Sequence, residues 1–183
     1  MGISLYDPFP KMSFCNRCII PSSNGKINLS IPVIGGRENR QPMKDVRIDN
    51  SVRWQNRHWR TIKSAYGRSP WFEFYAFGLE AYFQREYILL ADWNLDLMAW
   101  IFQCLGTATI IEKLTLEPTE YSGIDNRNKI LPKNFQSSGM IKNLPVYPQV
   151  FQEKIGFQPN MSIVDLIFCE GKNALRLLQG ATS

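Results

Sequence analysis

The sequence predicts an α+β fold: a single domain with a small mixed or antiparallel sheet packed against a helical layer. Three observations predict it. Two β-branched runs near the N-terminus flank an Asn-Gly turn, three apolar segments with helical spacing follow between residues 50 and 106, and a further strand-like run precedes a helical tail. The 183 residues suffice to bury a real core, and a hydrophobic fraction of 44% with 13% aromatics excludes a disordered chain.

The first strands are expected in "FCNRCII" (14–20) and "INLSIPVI" (27–34), with Asn24-Gly25 as the hairpin turn. Pro32 cannot donate to a ladder, so it marks an edge or a bulge. Residues 35–44 read as polar loop and 45–49 as a short third strand. Asn50 or Ser51 is placed to cap a helix carrying "WQNRHWRTIKSAY", with Gly67 as its C′ residue. Pro70 opens a second helix, and Asn94 is expected to cap a third that ends at Gly106. That third helix is apolar almost all round and should lie centrally. Residues 108–114 read as another strand, and 117–148 as a long polar loop, a length that usually marks function or disorder. In the tail, Ser162 and Asp165 have capping-box spacing, and Gly171 divides two short helices.

Charge is concentrated rather than spread. The net charge is +5, and Arg53, Arg57, Arg60, Lys63 and Arg68 lie between Asp49 and Glu73 with no acid among them. This favours one anion-attracting patch over a general nucleic-acid coat. The only histidine, His58, falls inside the same window, between Trp54 and Trp59. Helical spacing puts Trp54, His58, Ile62 and Tyr66 on one face, with Arg53, Arg57, Arg60 and Ser64 as a neighbouring stripe. An imidazole that titrates near neutrality suits acid or base work, arginine and lysine suit phosphate or carboxylate, and flat aromatic faces suit a sugar or a base. The structural alternative is a hydrogen-bonded core histidine among core aromatics, beside a solvated charged face. Asn16, Arg17, Asp125 and Arg127 are further polar candidates, against an alternative of strand pairing and turn chemistry. Asp165 reads as a helix-cap acid.

Cys15 and Cys18 form a CxxC, but strand alternation turns residues three apart to opposite faces, and no second pair accompanies them. Four reduced, structural thiols and no metal site are expected. Standard nucleotide-loop, serine-elbow and zinc-helix motifs are absent. No apolar run reaches the ~20 residues of a membrane span, and the first residues lack a signal-peptide pattern, so the expected location is cytoplasmic.

At "FCNRCII", "LSIPV", "HWRTIKSAYGRSPWFEFY", "DNRNKILPK", "YPQVF" and "GFQPNMSIVDLIFCEG" the chain resembles the WbqC-like protein family, from about Ser13 to Leu178. The resemblance implies a cytoplasmic enzyme of O-antigen or other surface-polysaccharide biosynthesis, acting on a nucleotide-linked or lipid-linked sugar. It matches Asn16-Arg17 and the four-residue spacing of His58, Ile62 and Tyr66. The family's N-terminal His/Gln-Pro-x-Tyr-x-Pro segment is not matched. The resemblance thus predicts a domain without the family's first strands and a sheet edge open to self-association.

These readings combine into one expectation: a transferase, moving an acyl or amino-acyl group to an activated sugar. His58 would be the acid/base and Tyr66 a positioning group, with Asn16, Arg17, Arg60, Lys63, Ser64, Asp125 and Arg127 binding an anionic small molecule such as a nucleotide-sugar. Neither the residues nor the resemblance names a cofactor, and that question is left open. The alternative is a non-catalytic module for single-stranded RNA or a glycan-assembly partner, although no RNA-binding signature accompanies the basic patch.

Overall fold

In the computed structural model, residues 1–10, 13–36, 41–114, 124–127, 132 and 144–180 are described. The fold is α+β, with two separate two-stranded ladders in place of one continuous sheet. β1 (Gly2–Ser4) runs parallel to β4 (Glu112–Leu114), and β2 (Arg17–Ser22) runs antiparallel to β3 (Gly25–Ser30).

The hairpin turns where its sequence says it should. Gly25 has φ +116°, a conformation open to glycine, and Ser22 Oγ donates to the Gly25 carbonyl at 2.9 Å. β3 ends at Ser30, short of Pro32. Residues 45–49 are not a strand. Met43–Asp45 form a single 3-10 turn, after which isolated bridges join Arg47 to Leu89 and Val33 to Ile48. Fewer than three consecutive residues find a partner there, so no ladder develops.

Helix α1 (Trp54–Tyr66) follows the expected span, but its caps differ from expectation. Arg53 occupies the N-cap without a side-chain bond. Asn50 instead donates to the Tyr87 carbonyl and accepts from Trp54 Nε1, while Ser51 bonds Asp49. Gly67 ends the helix in right-handed conformation, and Ser69 donates through both its N–H and Oγ to the Tyr66 carbonyl. Helix α2 (Phe72–Gln84) starts two residues after Pro70. Helix α3 (Leu90–Leu105) starts at Leu90 rather than at Asn94, whose side chain donates to the Cys15 carbonyl instead of capping. It ends at Gly106 with φ +69°, the left-handed close typical of glycine.

After the single turn α4 (Gln152–Ile155) come α5 (Ile163–Glu170) and α6 (Ala174–Gly180), divided by a 3-10 turn at Gly171–Asn173. α3 packs against α2, α5 and both 3-10 turns, the central place its apolar character requires. The largest core cluster joins the hairpin (Ile20, Leu29), α1 (Trp59, Ile62, Tyr66), α2 (Phe72, Leu79), α3 (Trp100) and α5 (Ile167, Phe168). A second cluster packs Val46, Ile48, Trp54, Tyr87, Leu90 and Trp93. Cys15 packs on the second cluster and Cys18 on the first, so the CxxC is split between two parts of the core. Among the described residues no helix is long and apolar enough to cross a membrane.

Candidate functional site

Helix α1 lies along the β2–β3 hairpin and divides the predicted site residues between the hairpin's two ends. At the open end, Arg17 stands opposite Ser30 in register. Asn16 clamps the next pair: its amide donates to the Ile31 carbonyl at 2.9 Å, and its own carbonyl accepts from Ile31 N–H. His58 meets the backbone of Ser30 at this end and sets its ring edge-on to Trp54, with centroids 5.4 Å apart. It is 5% exposed. Burial, aided by the adjacent Arg57 charge, lowers its pKa to about 4, against the pull of the Ser30 backbone. At neutral pH the imidazole is therefore uncharged. Arg17 Nε is buried and has no hydrogen-bond partner among the described residues.

At the turn end, α1 and the hairpin enclose an open depression of about 430 Å³. It is lined by Ser22, Ser23 and Ile27 of the hairpin, Arg60, Thr61, Ser64 and Ala65 of α1, and Phe151. The predicted anion anchors Arg60 and Ser64 meet here. Lys63 is exposed one turn from Arg60, its ammonium 5.9 Å from the Trp59 ring centroid. Arg53, Arg57, Arg60, Lys63 and Arg68 make no ion pair among the described residues. Among the described residues no carboxylate pairs with this positive potential. Ser22, Ser23 and Phe151 were not anticipated as site residues, though the "PSSNGK" turn already presents two adjacent hydroxyls.

The other candidates lie elsewhere in the interaction pattern. Arg127 is held by both carboxylate oxygens of Asp125, with Nη2 2.7 Å from Oδ2, and reaches Asp7 at 3.5 Å. These carboxylates raise its pKa and neutralise its charge locally. Trp54, Trp59 and Tyr75 are buried in the core rather than offered to a ligand, and Trp59 Nε1 donates to Glu80 at 2.6 Å.

Tyr66 is fully buried, and it faces a polar cluster that the sequence reading missed. Asp165 opens α5 but does not cap it. The Ser162 side chain makes no cap bond, and Asp165 Oδ2 accepts from Tyr147 Oη at 2.7 Å and from Gln149 Nε2 at 2.8 Å. Gln149 continues the network to the backbone of Gln158 through both ends of its amide. Burial raises the Asp165 pKa against the lowering effect of these donors, and burial with the nearby carboxylate raises that of Tyr66. "YPQVF" and "SIVDLIF" carry these residues, and a lone polar side chain in each apolar run was the available signal. Among the described residues no group of three or more His, Cys, Asp or Glu side chains is placed to hold a metal ion.

No curated protein and no solved structure matches the chain. A family model does, over residues 6–119 and 113–177, overlapping stretches that together include the hairpin, α1, the polar cluster and α5. The chain belongs to the WbqC-like protein family.

Proposed function

We propose that the chain acts in the biosynthesis of O-antigen or another surface polysaccharide, binding an anionic activated sugar in the depression between the hairpin turn and α1. The observation that carries this reading is Arg60, a guanidinium without an ion pair among the described residues, in a depression otherwise lined by hydroxyls and apolar surface. A guanidinium fork suits phosphate or carboxylate, hydroxyls suit sugar oxygens, and the Phe151 ring suits an apolar ring face. Arg60 anchors the anion, Lys63 adds attraction, and Ser22, Ser23 and Ser64 supply hydrogen bonds. The reaction we assign is transfer of an acyl or amino-acyl group to the sugar. His58, buried and neutral, enters as a positioning residue that fastens α1 to the hairpin at Ser30.

The test is thermal unfolding of the full chain with nucleotide-sugars and acyl donors. A ligand at a hundred times its Kd stabilises by about 2.7 kcal/mol, a readily visible shift. Arg60→Gln should unfold like the parent without ligand and lose the shift. No stabilisation by any of these compounds would overturn the proposal. A single-stranded oligonucleotide serves as the contrast: binding that falls steeply with salt would put an RNA-binding module in its place.

A further inference from the structure

A second concavity lies between α2 and the C-terminal half of α3, with no lining residue in common with the Arg60 depression. Its volume is about 640 Å³, within the usual range for small-molecule sites. Aromatic side chains form its walls, among them Phe74, Tyr82 and Trp100. Phe74 stands edge-on to Trp71 and Tyr75 and is still 66% exposed, so much of its ring is open. The charged lining residues are both cations, Arg85 and Lys172, and no carboxylate is among them. Arg85 stacks 5.2 Å from the Tyr82 ring centroid, lies 3.9 Å from Asp96 and also reaches the Tyr87 hydroxyl.

The floor supplies an independent observation. Trp100 is 5% exposed as a residue, but its indole nitrogen is not sealed from solvent, and its N–H makes no hydrogen bond among the described residues. That nitrogen lies against Gly78, where an added Cβ would come within 2.9 Å of it. Glycine at this position lets the indole approach the α2 backbone within the groove. A buried tryptophan ordinarily finds an acceptor for its N–H. Here the donor sits in a concavity whose charged groups are cations.

We propose that this groove is a second ligand site, for an anion carrying a flat or apolar body. The aromatic walls take the body, while Trp100 N–H, Arg85 and Lys172 take its carboxylate or phosphate. The inference does not depend on the Arg60 reading. Two sources share this chemistry, a nucleotide and an acyl or aryl carboxylate, and the probes separate them. Uridine 5′-monophosphate, 2-naphthoate and octanoate are titrated into the ¹⁵N-labelled full chain, with 2-naphthamide as the uncharged control. The Trp100 indole signal, assigned through its proximity to Gly78, is followed.

At least one anion should move that signal saturably, and 2-naphthamide should bind more weakly than 2-naphthoate. Arg85→Gln combined with Lys172→Gln should weaken the anion about tenfold, as expected for loss of charge-assisted bonds. Arg60→Gln should leave this binding unchanged. Response to the nucleotide alone identifies a base-plus-phosphate ligand, and response to the carboxylates identifies an acyl or aryl anion. The proposal is overturned if no anion moves the Trp100 signal at about 1 mM, or if the double variant binds as the parent does.

Discussion

Tyr66 on α1 and Asp165 on α5 are buried together; among the described residues neither the Tyr66 hydroxyl nor Asp165 Oδ1 has a hydrogen bond of full geometry, but the phenol faces the carboxylate closely enough to act on it as a weak donor. They are near enough for the carboxylate to raise the phenol's pKa, but the carboxylate spends its other oxygen on Tyr147 and Gln149. Removing the weakly engaged Tyr66 hydroxyl should cost less than removing the fully bonded Tyr147 hydroxyl. Tyr66→Phe is therefore expected to change stability by less than about 1 kcal/mol, and Tyr147→Phe to lower it by about 1–3 kcal/mol. Urea melts of the two variants decide the matter. A large loss for Tyr66→Phe would show that its hydroxyl is bonded in solution.

The titration of His58 sets a direction for acid stability. Its folded pKa of about 4 lies below the ordinary 6.5, so between those values the unfolded chain takes up the proton and the folded chain does not. Stability from this group is complete above pH 6.5 and lost as pH falls toward 4, by at most about 3 kcal/mol. Asp165 acts in the opposite sense: its raised pKa gives stability that is present below 3.8 and lost as pH rises through its folded value. Asp165→Asn should therefore steepen the loss of stability on acidification, and His58→Gln should flatten it. His58→Gln should also cost about 1–3 kcal/mol at neutral pH, because its contact with Ser30 is poorly replaced. An unchanged acid profile in His58→Gln would show that the imidazole is not held neutral.

How far the sequence disclosed this molecule depended on how local each signal was. The Asn24-Gly25 turn, the face of α1 and the Gly106 stop are dictated by residues within a turn of one another, and they appear as read. Asn94 satisfied a capping rule yet bonds Cys15, 79 residues away, so α3 extends back to Leu90. The strand expected at residues 45–49 failed because partners, not propensity, make a ladder. Arg60 and Ser64 were legible as neighbours on one helix face, but Ser22, Ser23 and Phe151 join them around the depression only through tertiary packing. The Asp165 cluster was hidden for the same reason: its members are up to 99 positions apart, and capping-box spacing offered a nearer explanation.

Gly171 is fixed by both backbone and neighbour. Its φ is +56°, and a Cβ there would come within 2.4 Å of the Trp71 ring. Gly171→Ala must displace an indole packed on the main core or shift the junction of α5 and α6, and strain with overpacking typically costs about 1–3 kcal/mol each. Gly180→Ala meets no atom within 4 Å and serves as the control. A fall in Tm for the first and none for the second is expected. Equal stability of the two would mean that the α5–α6 junction can move away from Trp71 without cost.

The four cysteines are free, and burial dominates the chemistry of each. Desolvation raises Cys18 and Cys104 to about 11 and Cys169 to about 12, and raises Cys15 despite its bond from Ser13. The thiolate is the reactive form, so at about pH 8 a thiol with a pKa of 11 offers roughly a hundredth of the thiolate of one at 9. In the folded chain all four should therefore react slowly with an aromatic disulfide reagent, and in guanidinium all four should react at once. Cys104 is the informative position, because it lines the α2–α3 groove and yet has a raised pKa. Cys104→Ser should remove the most accessible of the slow thiols and leave the other three unchanged. A single thiol in the folded chain that reacts as fast as in guanidinium would overturn the assignment of these cysteines to packing. It would instead place a reactive sulfur at the surface, and Cys104→Ser would tell whether that sulfur belongs to the groove.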